Sequence, residues 1–151
     1  MEASIKKIIL ATDFSDVAKH ASSHALLLAQ TYKAELIALH VFDPSGWNQP
    51  SHYYIASDGI IKGLEETIQR GKDTLQELAK SFDLRVETIF AEGDPGHEIV
   101  RVAEERSADL IVLGTHGYTG WKRFTLGSVA ELVVRHAPCA VLTIRPKGKQ
   151  I

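Results

Sequence analysis

The stretch "DLIVLGTHGYTGWKRFTLGSVAE", Asp109 to Glu131, joins an apolar run to a polar loop with four glycines, and the loop leads into a new apolar periodicity. The run "DLIVL" does not alternate apolar with polar residues. Both of its faces must therefore be covered, which is the mark of a central strand in a parallel sheet. From Ser128 onward the loop opens into an apolar helix pattern, so a helix is expected to about His136. A buried strand, a glycine loop and a helix make the repeating unit of an α/β fold.

Working outward, the same alternation continues. "KIILA" (Lys7 to Ala11) reads as a strand with "TDFS" as its turn, and Ala18, Ala21, Ala25, Leu28, Ala29 and Tyr32 share one face of a helix over Asp16 to Tyr32. "ELIALHVF" (Glu35 to Phe42) is a second strand. A second helix is expected from Ile60 to Phe82, with Ile61, Leu64, Ile68, Leu75, Leu78 and Phe82 on one stripe interrupted by Gly71. "RVETIFA" is the third strand, and Asp94 before Pro95 reads as the N-cap and first-turn proline of a third helix ending around Ser107. "CAVLTIR" closes the series before Pro146. Five strands alternating with four helices predict an open parallel sheet with helices on both faces, in a single domain over residues 1–151. Residues 43–59, rich in turn formers, read as a surface loop packed down by Trp47, Tyr53 and Tyr54, with a lid over a ligand as the alternative.

Composition narrows the classes of function. At 151 residues and 44% hydrophobic the chain suits one self-sufficient core. With 17 basic and 19 acidic side chains and a formal charge of -2, no global positive field points to a nucleic acid or an anionic membrane. Apolar runs stay well short of the roughly 20 residues that span a bilayer. No secretory signal is evident, and the lone Cys139 precludes an internal disulfide, so a cytoplasmic protein is expected.

Ligands of open α/β sheets bind beyond the carboxyl ends of the strands, where strand order reverses. Asp13 and the glycine loop both fall at such ends. Gly114 and Gly117 carry no Cβ to block an approaching anion, and Gly127 with Ser128 stands where the next helix brings unpaired N–H groups and the positive end of its dipole. Lys122 and Arg123 are near enough in sequence to neutralise further phosphate charge. The pattern is a phosphate cradle, or else a tight structural turn with a capping serine. Neither G-x-x-x-x-G-K-[ST] nor G-x-G-x-x-G occurs, which removes the main support for a P-loop kinase or a dinucleotide-dependent dehydrogenase.

The chain resembles the nucleotide-binding branch of the universal stress protein family, whose loop is G-x2-G-x9-G-[ST]. Gly114, Gly117, Gly127 and Ser128 match its fixed positions. "ILATDFS", "LIALHV", "ADLIVLGTHG" and "GSVAELVVRHAPCAVLTIR" extend the likeness over nearly the whole chain. The resemblance implies strand order 3-2-1-4-5, with Asp13 and Gly114 on neighbouring strands. It implies that Ala11, Thr12 and Asp13 meet the nucleoside or its metal, and that the backbone of Val41 reads the adenine edge. Gly114 and Gly117 would line ribose and first phosphates, and Gly127, Ser128 and Val129 would hold the distal ones. The implied ligand is ATP, or AMP or ADP, with magnesium as a possible companion. His116 occupies a variable position of the motif, and Ala140 stands where the family often has proline after the last strand's cysteine.

Three functions compete on this reading: an ATP-binding stress-response module, a slow ATPase or nucleotidyl transferase, and a nucleotide-free dimeric adaptor. The sequence offers no committed base for phosphoryl transfer, and the complete glycine pattern disfavours the adaptor. Strand five at a sheet edge suggests a homodimer, as the resemblance also implies. His20 and His24, four apart on the first helix, lack a third metal ligand and read as solvated helix residues. Cys139 reads as a small apolar residue, with no local base to activate it.

Overall fold

The computed structural model describes residues 2–47, 58–116 and 126–146. Five strands, β1 (Lys7–Ala11), β2 (Glu35–Phe42), β3 (Val86–Glu92), β4 (Leu110–Gly114) and β5 (Ala140–Ile144), form one parallel sheet in the order β3-β2-β1-β4-β5. The helices are α1 (Asp16–Tyr32), α2 (Asp58–Ser81), α3 (Pro95–Glu105) and α4 (Ser128–His136), with a 3-10 turn at Pro44–Trp47 inside the segment expected to be irregular. Helix α3 stops two residues before the expected Ser107, because Arg106 closes it and Ser107 turns back at φ 52.

Side-chain alternation along each strand sorts the core into two layers. Ile9, Ile37, Leu39, Ile111 and Leu113 meet Ile99, Val102 and Ala103 of α3 and Ala130 and Val133 of α4. On the opposite face Ile8, Leu10, Leu36, Leu110 and Val112 meet Ala21, Ala25 and Ala29 of α1, with Phe82 and Leu84 beside them. The α1 contact surface is built from alanines, so the helix lies close against the sheet.

Two residues of the expected stripes are out of the core. Tyr32 is 52% exposed, since α1 ends there and Lys33 reverses the chain in a left-handed conformation. Ile61 is 61% exposed, because α2 covers the edge strand β3 and buries fully only Leu75 and Ala79. Gly71 explains how α2 comes so near the sheet. A Cβ there would stand 2.9 Å from Cε2 of Phe90 on β3.

Side-chain capping closes two helix starts, that at Asp94 as expected. The Ser15 hydroxyl accepts from the amide of Ala18, and the Asp94 carboxylate accepts from that of His97, with Pro95 in the first turn. At the amino end of the sheet, the Asp109 carboxylate takes the amides of Lys6 and Lys7 at 2.8 and 2.9 Å, fixing where β1 and β4 begin to pair.

Replacing Ile111, fully buried in the layer under α3 and α4, with alanine is expected to cost about 2–5 kcal/mol in denaturant unfolding. Asp94→Ala is expected to cost about 1 kcal/mol at neutral pH through the lost cap. Bonding to His97 lowers the Asp94 pKa from 3.8, so this cap stabilises above that value and is lost as pH falls through the lowered one. Unfolding titrations of both proteins should therefore converge in strong acid.

Candidate functional site

The β1–β4 ladder ends at the pair Leu10 and Val112, whereas the β1–β2 ladder runs on to Ala11 and Leu39, and the β4–β5 ladder to Gly114 and Ile144. Beyond these pairs the Thr12 amide bonds to the Leu39 carbonyl, and the Thr115 amide to the Ile144 carbonyl, both at 2.9 Å. Neighbouring strands thus splay at their carboxyl ends, each drawn towards its outer partner. The gap between them is a cleft of about 330 Å³.

Ala11, Thr12, Asp13, Val41, Gly114, Gly127, Ser128 and Val129 all border this cleft. Gly117, the remaining residue of the expected set, lies outside the described residues, as do Lys122, Arg123, Tyr53 and Tyr54. The carboxylate of Asp13 is exposed, and its Oδ1 accepts from the Ser15 amide at 3.0 Å. With Ser15 serving as the cap of α1, the Asp13 carboxylate is not consumed by capping.

Gly127 begins α4 with no side-chain cap, unlike Ser15 and Asp94 at the starts of α1 and α3. The first intrahelical bond runs from Glu131 N to Gly127 O, so the amides of Ser128, Val129 and Ala130 have no intrahelical acceptor. All three residues line the cleft. Gly127 is held by its own amide on the Thr115 carbonyl at 2.7 Å, and a Cβ would stand 2.8 Å from that oxygen. Glycine is therefore needed for α4 to approach β4. Gly114 has a comparable constraint against Val17 of α1, where a Cβ would come within 2.7 Å of Cγ1.

The opposite wall is apolar: Leu39 and Val41 from β2, Pro95 and Ile99 from α3, and Leu113 from β4. The contribution of α3 was missed in the sequence, although Asp94 and Pro95 announce a helix at the carboxyl end of β3, where the same positional rule applies. Also missed were Thr115, buried at 2% exposure, and the environment of His116. The His116 Nδ1 lies 2.9 Å from the Thr115 hydroxyl, while its Nε2 is buried without a hydrogen-bond partner among the described residues. An unpaired buried nitrogen costs roughly 1–3 kcal/mol, a penalty that a ligand atom can remove.

The other candidates fall away from the cleft. His20 and His24 are half-buried on α1 and pack edge to face, 4.9 Å between ring centroids. No cluster of three potential metal ligands occurs among the described residues. Burial, aided by the charge of Asp109, holds the Cys139 thiol above its ordinary pKa, so it is a poor nucleophile at neutral pH. No helix among the described residues is long and apolar enough to cross a membrane.

Comparison with known proteins gives this cleft its context. A universal stress protein MJ0531 from Methanocaldococcus jannaschii is 37% identical over 148 residues, covering 96% of this chain and 85% of that protein. The solved structure of protein MJ0577 from the same organism superposes with a TM-score of 0.81 at 29% identity, covering 95% of this chain and 98% of that one. A universal stress protein from Archaeoglobus fulgidus, solved in complex with dAMP, shares the fold at a TM-score of 0.57 and 22% identity, covering 95% and 99% of the two chains. The model of the universal stress protein family matches residues 4–145. The chain belongs to the universal stress protein family.

Proposed function

We propose that the cleft binds an adenine nucleotide, ATP in the first instance, and that the protein is a cytoplasmic, nucleotide-dependent signalling module of the stress response. The observation that carries this reading is the glycine-started, uncapped helix α4, whose first amides border a cleft where the sheet reverses. Amides gathered at a helix start bind phosphate through hydrogen bonds and the local dipole. The apolar wall of Val41, Pro95 and Ile99 suits a nucleobase, and the dAMP complex of the Archaeoglobus fulgidus relative supports the adenine class. Asp13, with one carboxylate oxygen engaged by Ser15, offers the other to a magnesium ion accompanying the phosphates. Such an ion would neutralise phosphate charge. Ala11 and Thr12 would flank the nucleoside, Gly114 and Gly117 the ribose and first phosphates, and Gly127, Ser128 and Val129 the distal ones.

Nucleotide that binds only the folded state raises its stability, by about 2.7 kcal/mol at a hundred times Kd. Melting temperature should accordingly climb with ATP concentration. The Gly127→Ala substitution, which forces α4 away from Thr115, is expected to abolish that climb while the nucleotide-free protein still melts cooperatively. A full shift in this variant would refute the cradle.

The dimer belongs to the same proposal. Among the described residues strand β5 pairs with β4 alone, its Val141 and Leu142 are half-buried, and Val134 of α4 is 49% exposed. An apolar edge of this kind pairs with its counterpart across a two-fold axis. Light scattering is expected to give twice the chain mass. A persistent monomer at working concentration contradicts it.

A further inference from the structure

His40, at the carboxyl end of β2, is not among the residues bordering the cleft, yet it grips the turn that is. Its Nδ1 lies 2.8 Å from the Thr12 carbonyl oxygen. A carbonyl only accepts, so Nδ1 carries the proton and donates it. The ring sits between Phe14, 4.5 Å away between centroids with planes tilted by 30°, and Phe90, 5.6 Å away at 49°. Alternation along β2 turns His40 to the face covered by α1 and α2, whereas Leu39 and Val41 face the cleft.

What it holds is an uncommon backbone. Phe14 has φ 65, a conformation that residues other than glycine seldom adopt. Two short loops of hydrogen bonds shape it from within: Phe14 N donates to the Thr12 hydroxyl and Ser15 N to the Asp13 carboxylate, each at 3.0 Å. From outside, β2 takes both ends of the Thr12 residue, Leu39 O accepting from its amide and His40 donating to its carbonyl. Helix α2 closes the back of the site, where a Cβ on Gly71 would lie 3.8 Å from Cδ2 of His40. Burial lowers the pKa of His40, against the opposing pull of the Thr12 carbonyl and the charge of Asp13, which favours the neutral ring.

We propose that His40 is a positioning residue for the cleft: its Nδ1–H bond to Thr12 and its stacking on Phe14 fix the Thr12–Ser15 turn, and thereby the place of Asp13. The consequence for ligand affinity rests on the nucleotide reading given above; the hold on the turn does not. Two variants separate the hydrogen bond from the bulk. His40→Leu fills space without a donor, and His40→Asn restores a donor one bond beyond Cγ, where Nδ1 stands.

The test measures both ends of the argument on the full chain. In nucleotide-free protein, hydrogen exchange at the amides of Phe14 and Ser15 should quicken roughly tenfold in His40→Leu, as local opening becomes easier, and return towards the parent rate in His40→Asn. Amides of Ile9 and Leu10 should keep their rates, which distinguishes loss of the turn from general destabilisation. In calorimetric titration with ATP and magnesium, His40→Leu should bind roughly three- to tenfold more weakly, the scale of one hydrogen bond, and His40→Asn near the parent value. Unchanged exchange at Phe14 and Ser15 in His40→Leu overturns the inference. So does His40→Asn behaving like His40→Leu in exchange. Failure of the parent protein to bind ATP defeats the nucleotide reading instead, and the exchange rates still decide the role of His40.

Discussion

The architecture turns on where the backbone pairing of β1 with β4 stops while their outer ladders run on. These strands are neighbours over three paired positions, Ile8 to Leu10 against Leu110 to Val112, and beyond them the amides of Thr12 and Thr115 are bonded to the strands on the far sides. Helices α1 and α4 then leave towards opposite layers of the core. A crevice is the unavoidable result, and its rim is made of the first residues after each strand.

That rim is finished by three helix starts of two kinds. Ser15 and Asp94 each give a side-chain oxygen to a first-turn amide of their helices. Helix α4 has only glycine there, because Thr115 leaves no room for a Cβ. The same tight approach that anchors α4 to β4 deprives the helix of a cap and leaves its first amides on the cleft. Packing and ligand chemistry are one constraint at Gly127, not two.

Most of this was legible in the chain. The unbroken apolar character of Leu110 to Leu113 marked a strand covered on both sides, and alanines at helical spacing marked the buried face of α1. Cap chemistry placed the start of α3, since an oxygen-bearing side chain before a proline declares itself locally. Reading failed where a helix extends past its support, as for Tyr32 and Ile61, because periodicity reports which face is apolar and not how far the sheet beneath it reaches. It also passed over Ile99 and His40. Ile99 looks like any core position until α3 is laid across the sheet, and the bond from His40 to Thr12 joins residues 28 apart in sequence. Contacts of that kind have no local signature.

Helix α2 shows what uneven anchoring does to a long element. Its fully buried residues, Leu75 and Ala79, both follow Gly71, and the three turns before it carry only half-buried or exposed side chains. A glycine inside a helix weakens it by about 1 kcal/mol relative to alanine. The two halves therefore differ in how firmly they are held: the second is part of the core, while the first rests on half-buried side chains. The close fit at Phe90 thus doubles as a seam, dividing one continuous helix into a firmly held stem and a more lightly held arm.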